Sequence, residues 1–295
     1  MSNSPKTISL VLGSGGARGH AHLGVIKAIE ERGLKIRNIA GTSMGAVIGG
    51  IYAADELDTY EAWARKLTKR DVVRLLDFSF TWTSIFKGER IFEVLKDLIG
   101  DRNIEDLDRG FTAVATAIDE QREVWINKGP LFQAIRASTA VPGVFSPVQV
   151  NGQTLVDGGL INPIPIAPTL NDSTDLTIAV NLNALGENYV PPEEVSDPAE
   201  SDEKQGYRKV ISDFLDDLMK DDDDEAGDPD AAELLTRSID VMQGAIARLK
   251  LAAYTPDKVI EIPRDACSFF DFYKTAEMSD LGYKRACKAL DDLGL

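Results

Sequence analysis

Residues 39–48 read Ile-Ala-Gly-Thr-Ser-Met-Gly-Ala-Val-Ile. An apolar run leads into Gly41-Thr42-Ser43-Met44-Gly45, which matches G-x-S-x-G, and a second run of small apolar side chains leads out. That is the pattern of a strand turning sharply into a helix, with flanking glycines relieving the crowding and the serine hydroxyl lifted clear of the backbone. A turn serine that merely caps a helix fits the same five residues. The placement between two apolar runs favours the elbow, and makes Ser43 a candidate nucleophile.

On both sides of this stretch, strand-like and helix-like patterns alternate, which predicts an α/β fold with helices on both faces of one sheet. Strands are expected at 7–12, up to 40, at 111–118, 123–126, 176–181 and 258–262. Helices are expected at 17–32, 44–53, 57–76, 90–99, 131–138, 231–253 and 278–293, from apolar residues recurring at helical spacing. Residues 148–156 read as a hairpin turned by Asn151-Gly152. The aromatic segment 78–86 has weak periodicity; core packing and a lid over an apolar ligand both fit it.

The organisation expected is a single domain over 1–295. Its core lies at about 7–182, an acidic insertion at about 186–230, and closing helices with one strand at 231–295. The insertion carries prolines and the run Asp221-Asp222-Asp223-Asp224 around one amphipathic stretch, 207–219. High charge with low hydrophobicity predicts a solvated segment, partly mobile at its flanks. Calcium binding and partner docking are the alternatives, though the aspartates lack the spacing and glycine of an EF-hand loop.

Composition narrows the classes. Lys and Arg total 32 against 48 Asp and Glu, a formal charge of −16, and such a surface repels phosphate backbones. Nucleic acid is therefore not an expected partner. The two cysteines, Cys267 and Cys287, cannot build a disulfide framework and read as helix-face residues in a reducing compartment. The polar start lacks the apolar stretch of a signal peptide, and the least polar window, 40–54, falls short of the ~20 residues that span a bilayer. The expected location is cytoplasmic, with peripheral contact at a membrane left open.

Two further glycine-rich turns follow apolar runs: Gly13-Ser14-Gly15-Gly16-Ala17-Arg18-Gly19 and Asp157-Gly158-Gly159. The first lies between strand and helix, where free amides meet the positive end of a helix dipole and form an anion site. A dinucleotide fingerprint also places glycines there, but it expects an acidic residue at the tip of the second strand. Here that tip reads Gly41-Thr42-Ser43.

A nucleophilic serine needs a base. The order Ser, Asp, His of α/β-hydrolases cannot be met, because the only histidines, His20 and His22, precede Ser43. His22 shares a helix face with Leu23 and Ile26 and reads as a packed core residue; His20 reads as loop-facing. Either another geometry uses one of them, or the base is a carboxylate. Asp157, at the end of an apolar strand beside two glycines, is the best placed, although an isolated Asp-Gly is usually a plain turn.

In this order the three turns resemble the three signatures of patatin-like phospholipases, particularly the compact bacterial members. Ala137-Ser138-Thr139-Ala140-Val141-Pro142-Gly143-Val144-Phe145-Ser146-Pro147 is similar to the family's stretch before its catalytic Asp. The resemblance covers residues 7 to about 182 well and the last third loosely, through 269–289. It implies a three-layer α/β/α fold with a central, mostly parallel sheet. The implied activity is serine acyl hydrolysis of the phospholipase A, lysophospholipase or esterase type, using a Ser-Asp dyad without histidine, metal or cofactor.

Carried over by position, Ser43 attacks the acyl carbonyl, and Asp157 takes its proton and later activates water. Amides of Gly13, Gly15 and Gly16 hold the oxyanion, a donor of that kind being worth roughly 3 kcal/mol. Arg18 and Met44 support the site; an exposed helix-start arginine is the plainer reading of Arg18. The implied partner is an acyl ester or phospholipid substrate, with transient membrane-surface contact. Ser14 departs from the family, which commonly has glycine there, and a side chain at that position bears on rate more than on fold. The other class of function is a catalytically silent relative that binds lipid or a protein partner.

Overall fold

In the computed structural model, the first strand, β1 (Thr7–Leu12), is buried at every residue after Thr7. Burial on both faces marks a strand deep inside a parallel sheet. The structure describes residues 6–76, 78–81, 84–86, 89–186 and 231–295, with side chains described outside 76–89 and 231–237. One compact unit comprises 1–187 with 239–295, and a second comprises 188–238. Of the second unit, the described residues are 231–238, the start of a helix. The predicted acidic insertion from 187 to 230, its amphipathic stretch included, lies outside the described residues.

The remaining strands are β2 (Lys35–Thr42), β3 (Phe78–Thr81), β4 (Ser84–Phe86), β5 (Gly110–Ala117), β6 (Arg122–Ile126), β7 (Val148–Val150), β8 (Gln153–Asp157), β9 (Leu176–Ala184) and β10 (Lys258–Pro263). Strands β10, β9, β1, β2 and β5 pair in that order, all parallel. Strands β6 and β8 pair antiparallel with β5, and β7 with β8. The sheet is thus mixed and mostly parallel. Strands β3 and β4 form a separate antiparallel pair, in the aromatic segment whose weak periodicity predicts no regular element; their side chains lie outside the described residues.

Helices α1 (Ala21–Glu31), α2 (Met44–Ala53), α3 (Leu57–Ala64), α4 (Lys69–Leu76), α5 (Glu89–Ile99), α6 (Leu131–Ser138), α7 (Ala231–Ala253) and α8 (Thr275–Asp292) surround it. The pleat of β1 divides them. Ile8, Leu10 and Leu12 join the core shared with α1, α2 and α8, whereas Val11 joins Ile164, Ile166, Ala179 and Ala247 of α7 on the opposite face. Helices therefore cover both faces, giving the three-layer α/β/α fold.

Several boundaries differ from the sequence reading. The helix expected over 17–32 is a 3₁₀ turn, Gly16–His20, followed by α1, because the glycines leave no side chains to stabilise a regular first turn. The helix expected over 57–76 is two. Thr68 starts α4 with a reciprocal capping pair: its amide and hydroxyl donate to Asp71 Oδ2 at 2.9 and 2.6 Å, and the Asp71 amide donates back to Thr68 Oγ1 at 3.3 Å. The hairpin at Asn151-Gly152 is present, with φ of 49° and 79°, the left-handed pair that a two-residue turn needs. Cys267 lies in the turn after β10 rather than on a helix, and Cys287 lies in α8.

Candidate active site

The register of β5 places the site. Thr42, the last residue of β2, pairs with Val114, and Asp157, the last residue of β8, pairs with Ala115. Strand β6 pairs with β5 continuously from Ala113 to Ala117, opposite both β2 and β8, so it takes the other edge of β5. Strands β2 and β8 consequently share one edge and meet end to end, from opposite directions. Gly158 is what lets them close: a Cβ there would stand 2.1 Å from the Val114 carbonyl oxygen and 3.1 Å from Thr42 Cγ2.

Ser43 follows at φ 56°, ψ −124°, a conformation that costs a non-glycine residue about 1–3 kcal/mol and persists only where its surroundings enforce it. Its amide donates to Ser138 Oγ at 3.0 Å, and the Ser138 hydroxyl donates to Val114 O at 2.6 Å. Its carbonyl accepts from the amides of Ala46 and Val47, the first bonds of α2. Gly45 allows α2 to approach β1 closely, since a Cβ would fall 2.0 Å from Leu12 O. The strained serine thus stands where β2 ends and α2 begins. Ser138 lies in the stretch 137–147 before Asp157, and nothing local in the sequence marks it for this role.

Asp157 is 2% exposed. Its Oδ1 accepts from the Gly159 amide at 2.6 Å. Burial pushes its carboxyl up to about 7, while the Ser43 hydroxyl and the Gly159 amide draw it part of the way back. Ser43 thus bears on the carboxylate electrostatically, yet Oδ2 closes no hydrogen bond of ordinary geometry. An acid poised near neutrality and next to a hydroxyl is equipped to accept a proton.

The first glycine loop divides in two. The amides of Gly13 and Ser14 donate to Val180 O and Pro163 O at 3.1 and 2.8 Å, so Gly13 has no N–H left for a ligand, contrary to the set inferred from sequence. Among the described residues, the amides of Gly15 and Gly16 have no protein acceptor. Gly16 lines a cavity of about 100 Å³ together with Ser43 and Met44. The rest of its wall is almost wholly apolar, including Val47, Val72, Phe92, Leu95 and Phe145.

Arg18 is not an exposed helix-start residue. It is 2% exposed, pairs with Asp240 of α7 at 3.0 Å, and donates to the carbonyls of Arg264 and Cys267 at 3.2 and 3.4 Å. It ties the loop to α7 and to the turn after β10. His20 is likewise buried rather than loop-facing. Its Nδ1 lies 3.2 Å from Thr275 Oγ1 and its Nε2 3.0 Å from Tyr60 OH. Because the Thr275 hydroxyl gives its own proton to the carbonyl of Ala64 or Phe272, His20 Nδ1–H donates to Thr275 and Nε2 accepts from Tyr60. His22 Nε2–H donates to Gly13 O at 2.9 Å. Burial lowers the two rings to about 3 and about 4, so both are neutral near pH 7.

An elbow serine and the free-amide Gly16 lining an apolar cavity, with a buried carboxyl at the adjoining strand end, on an α/β/α sheet, define the class of protein. The chain belongs to the patatin-like phospholipase family, whose model matches residues 10–170. An uncharacterized NTE family protein of Mycobacterium tuberculosis is 38% identical over 98% of this chain and 92% of its own length. Lysophospholipase NTE1 of Coccidioides immitis is 31% identical over 98% of this chain, which spans 18% of that protein. Neuropathy target esterase sws of Drosophila sechellia is 35% identical over 54% of this chain and 11% of its own. Among solved structures, VipD of Legionella pneumophila superposes with a TM-score of 0.58 at 14% identity, covering 99% of this chain and 67% of that one, a likeness of fold alone.

Proposed function

We propose that this protein is a serine acyl hydrolase acting on phospholipids, lysophospholipids or similar acyl esters. The observation that carries the reading is the strained Ser43 at the edge of an apolar cavity, beside a buried carboxyl held near neutrality. The names of the fungal and insect relatives, a lysophospholipase and an esterase, favour the same chemistry.

In this reading an acyl chain lies along the apolar wall and presents its carbonyl to Ser43 Oγ. Asp157 accepts the hydroxyl proton as the Oγ–C bond forms, and the oxyanion takes hydrogen bonds from the amides of Gly15 and Gly16. Gly13, whose amide is committed to β9, shapes the loop instead. The alcohol leaves with the proton returned from Asp157. Water, deprotonated by the same carboxylate, then attacks the acyl-Ser43 ester; the C–Oγ bond breaks, Asp157 returns the proton to Ser43 Oγ, and the acid is released. The two histidines take no part, since His20 has both ring nitrogens occupied and His22 holds the Gly13 carbonyl.

A fluorophosphonate probe tests the nucleophile: wild type labels, and Ser43→Ala does not. A chain-length series of esters and phospholipids, run on wild type, Ser43→Ala and Asp157→Asn, tests the rest, with both variants inactive on every substrate. A folded wild type that neither labels nor turns over any member of the series would overturn the proposal and favour a lipid-binding relative without turnover.

A further inference from the structure

Ser14, the departure from the family's usual glycine, is held on three sides. Its amide donates to Pro163 O at 2.8 Å, its carbonyl accepts from Asn183 Nδ2 at 2.9 Å, and its hydroxyl donates to Gln243 Oε1 at 3.0 Å. Gln243 comes from α7, far along the chain, and is 4% exposed. With Oε1 committed to Ser14, its Nε2 is turned to Gly159. A Cβ placed on Gly159 would stand 2.6 Å from Gln243 Nε2, 2.6 Å from Ser14 Oγ and 2.9 Å from Asp157 Oδ1. Three polar groups from three separate parts of the chain therefore converge over the glycine whose amide holds Asp157 Oδ1.

We infer that Gln243, oriented by the Ser14 hydroxyl, is a positioning residue that locks the Asp157–Gly159 turn against the glycine loop during the reaction proposed above, on which this inference rests. The base and the oxyanion amides lie on different segments, the end of β8 and the loop after β1. Their separation has to be held to a fraction of an ångström while a proton moves to one and charge develops at the other. The side-chain amide is hydrogen-bonded to the loop at Ser14 Oγ and packs its Nε2 against Gly159, so its planar shape sets the spacing of the two segments. The serine hydroxyl is directed at Gln243, so at this position it does the work of a tether.

The test is a double-mutant cycle with Ser14→Ala, Gln243→Leu and the double variant, each assayed on a short soluble ester and melted in parallel. Each single variant is expected to lower kcat by about 10–100-fold, the scale of a small misplacement of reacting groups, with KM within about twofold. The double variant is expected to be no worse than the poorer single one, because both remove the same tether. A melting temperature that falls while kcat per folded molecule stays at the wild-type value would assign both residues to packing and overturn the inference. So would effects that multiply in the double variant. Ser14→Ala removes one oxygen only, so its full activity would overturn the inference even if Gln243→Leu failed to fold. Failure of wild type to turn over any ester would overturn the Ser43 reading and this one with it; wild-type turnover unchanged in Gln243→Leu would overturn this one alone.

Discussion

Replacing Asp157 by Asn converts the buried carboxyl into a stability measurement that needs no substrate. The folded protein holds this group at about 7, against 3.8 for a free aspartate, so the unfolded chain ionises first as pH rises. The stability attached to the neutral carboxyl is complete below pH 3.8 and is lost as pH rises through 7. The whole difference corresponds to roughly 4 kcal/mol, of which roughly 2–3 kcal/mol disappears between pH 5 and pH 8. Asparagine has nothing to titrate. Subtracting the variant's unfolding free energy from that of wild type at each pH cancels every other titrating group. Urea unfolding at intervals from pH 5 to 8 is expected to show wild type losing roughly 2–3 kcal/mol relative to Asp157→Asn. A difference level to within about 0.5 kcal/mol, or one moving the other way, would show that burial does not disfavour the charged form and would remove the physical basis for a base poised near neutrality.

If Asp157 is the base, kcat/KM on a short ester rises with pH to a midpoint near 7, the value for the buried carboxyl; a midpoint near 4, that of an ordinary aspartate, would contradict it. Gly158→Ala drives a Cβ to 2.1 Å from Val114 O, and since that atom is backbone the cost is expected at about 3 kcal/mol or more, read by urea unfolding, with turnover lost; a stable, active variant would refute the end-to-end meeting of β2 and β8. His22→Gln keeps a side-chain donor for the Gly13 carbonyl and is expected to retain turnover within about tenfold, whereas loss of a general base costs 10²–10⁴-fold; a loss in that range in a folded variant would return histidine to the mechanism.

The parts legible in the sequence were those with a local cause. Elbow glycines, the Asn151-Gly152 turn and the alternation of strands and helices each follow from a few neighbouring residues. What was missed depends on partners far along the chain. Nothing near Arg18 announces Asp240, and nothing near Ser14 announces Gln243, because α7 lies beyond the acidic segment. Gly13 was grouped with Gly15 and Gly16 as a ligand donor because one motif contains all three. Only pairing with β9 shows that its amide is already committed. The split between α3 and α4 was legible in principle, since Thr68 and Asp71 have capping-box spacing, but continuous apolar periodicity across 57–76 obscured it.

The fold also bears on the proposed mechanism, in which a serine and an aspartate serve without a histidine between them. Strand β2 runs beside β5 only as far as Val114, and the remaining edge, Ala115–Ala117, is taken by β8 from the opposite direction. An elbow at one strand end therefore faces a carboxylate at the other, along a single line of backbone pairing. Strand side chains alternate between faces, so a slip of one residue between β8 and β5 would carry the Asp157 carboxylate to the opposite side of the sheet. The slip is opposed at two places: by Thr116, whose hydroxyl donates to Asp157 O at 3.0 Å, and by the two-residue turn that fixes β8 against β7. In the proposed mechanism a rigid sheet edge thus supplies the alignment that, in a triad, an acid supplies by orienting a mobile imidazole.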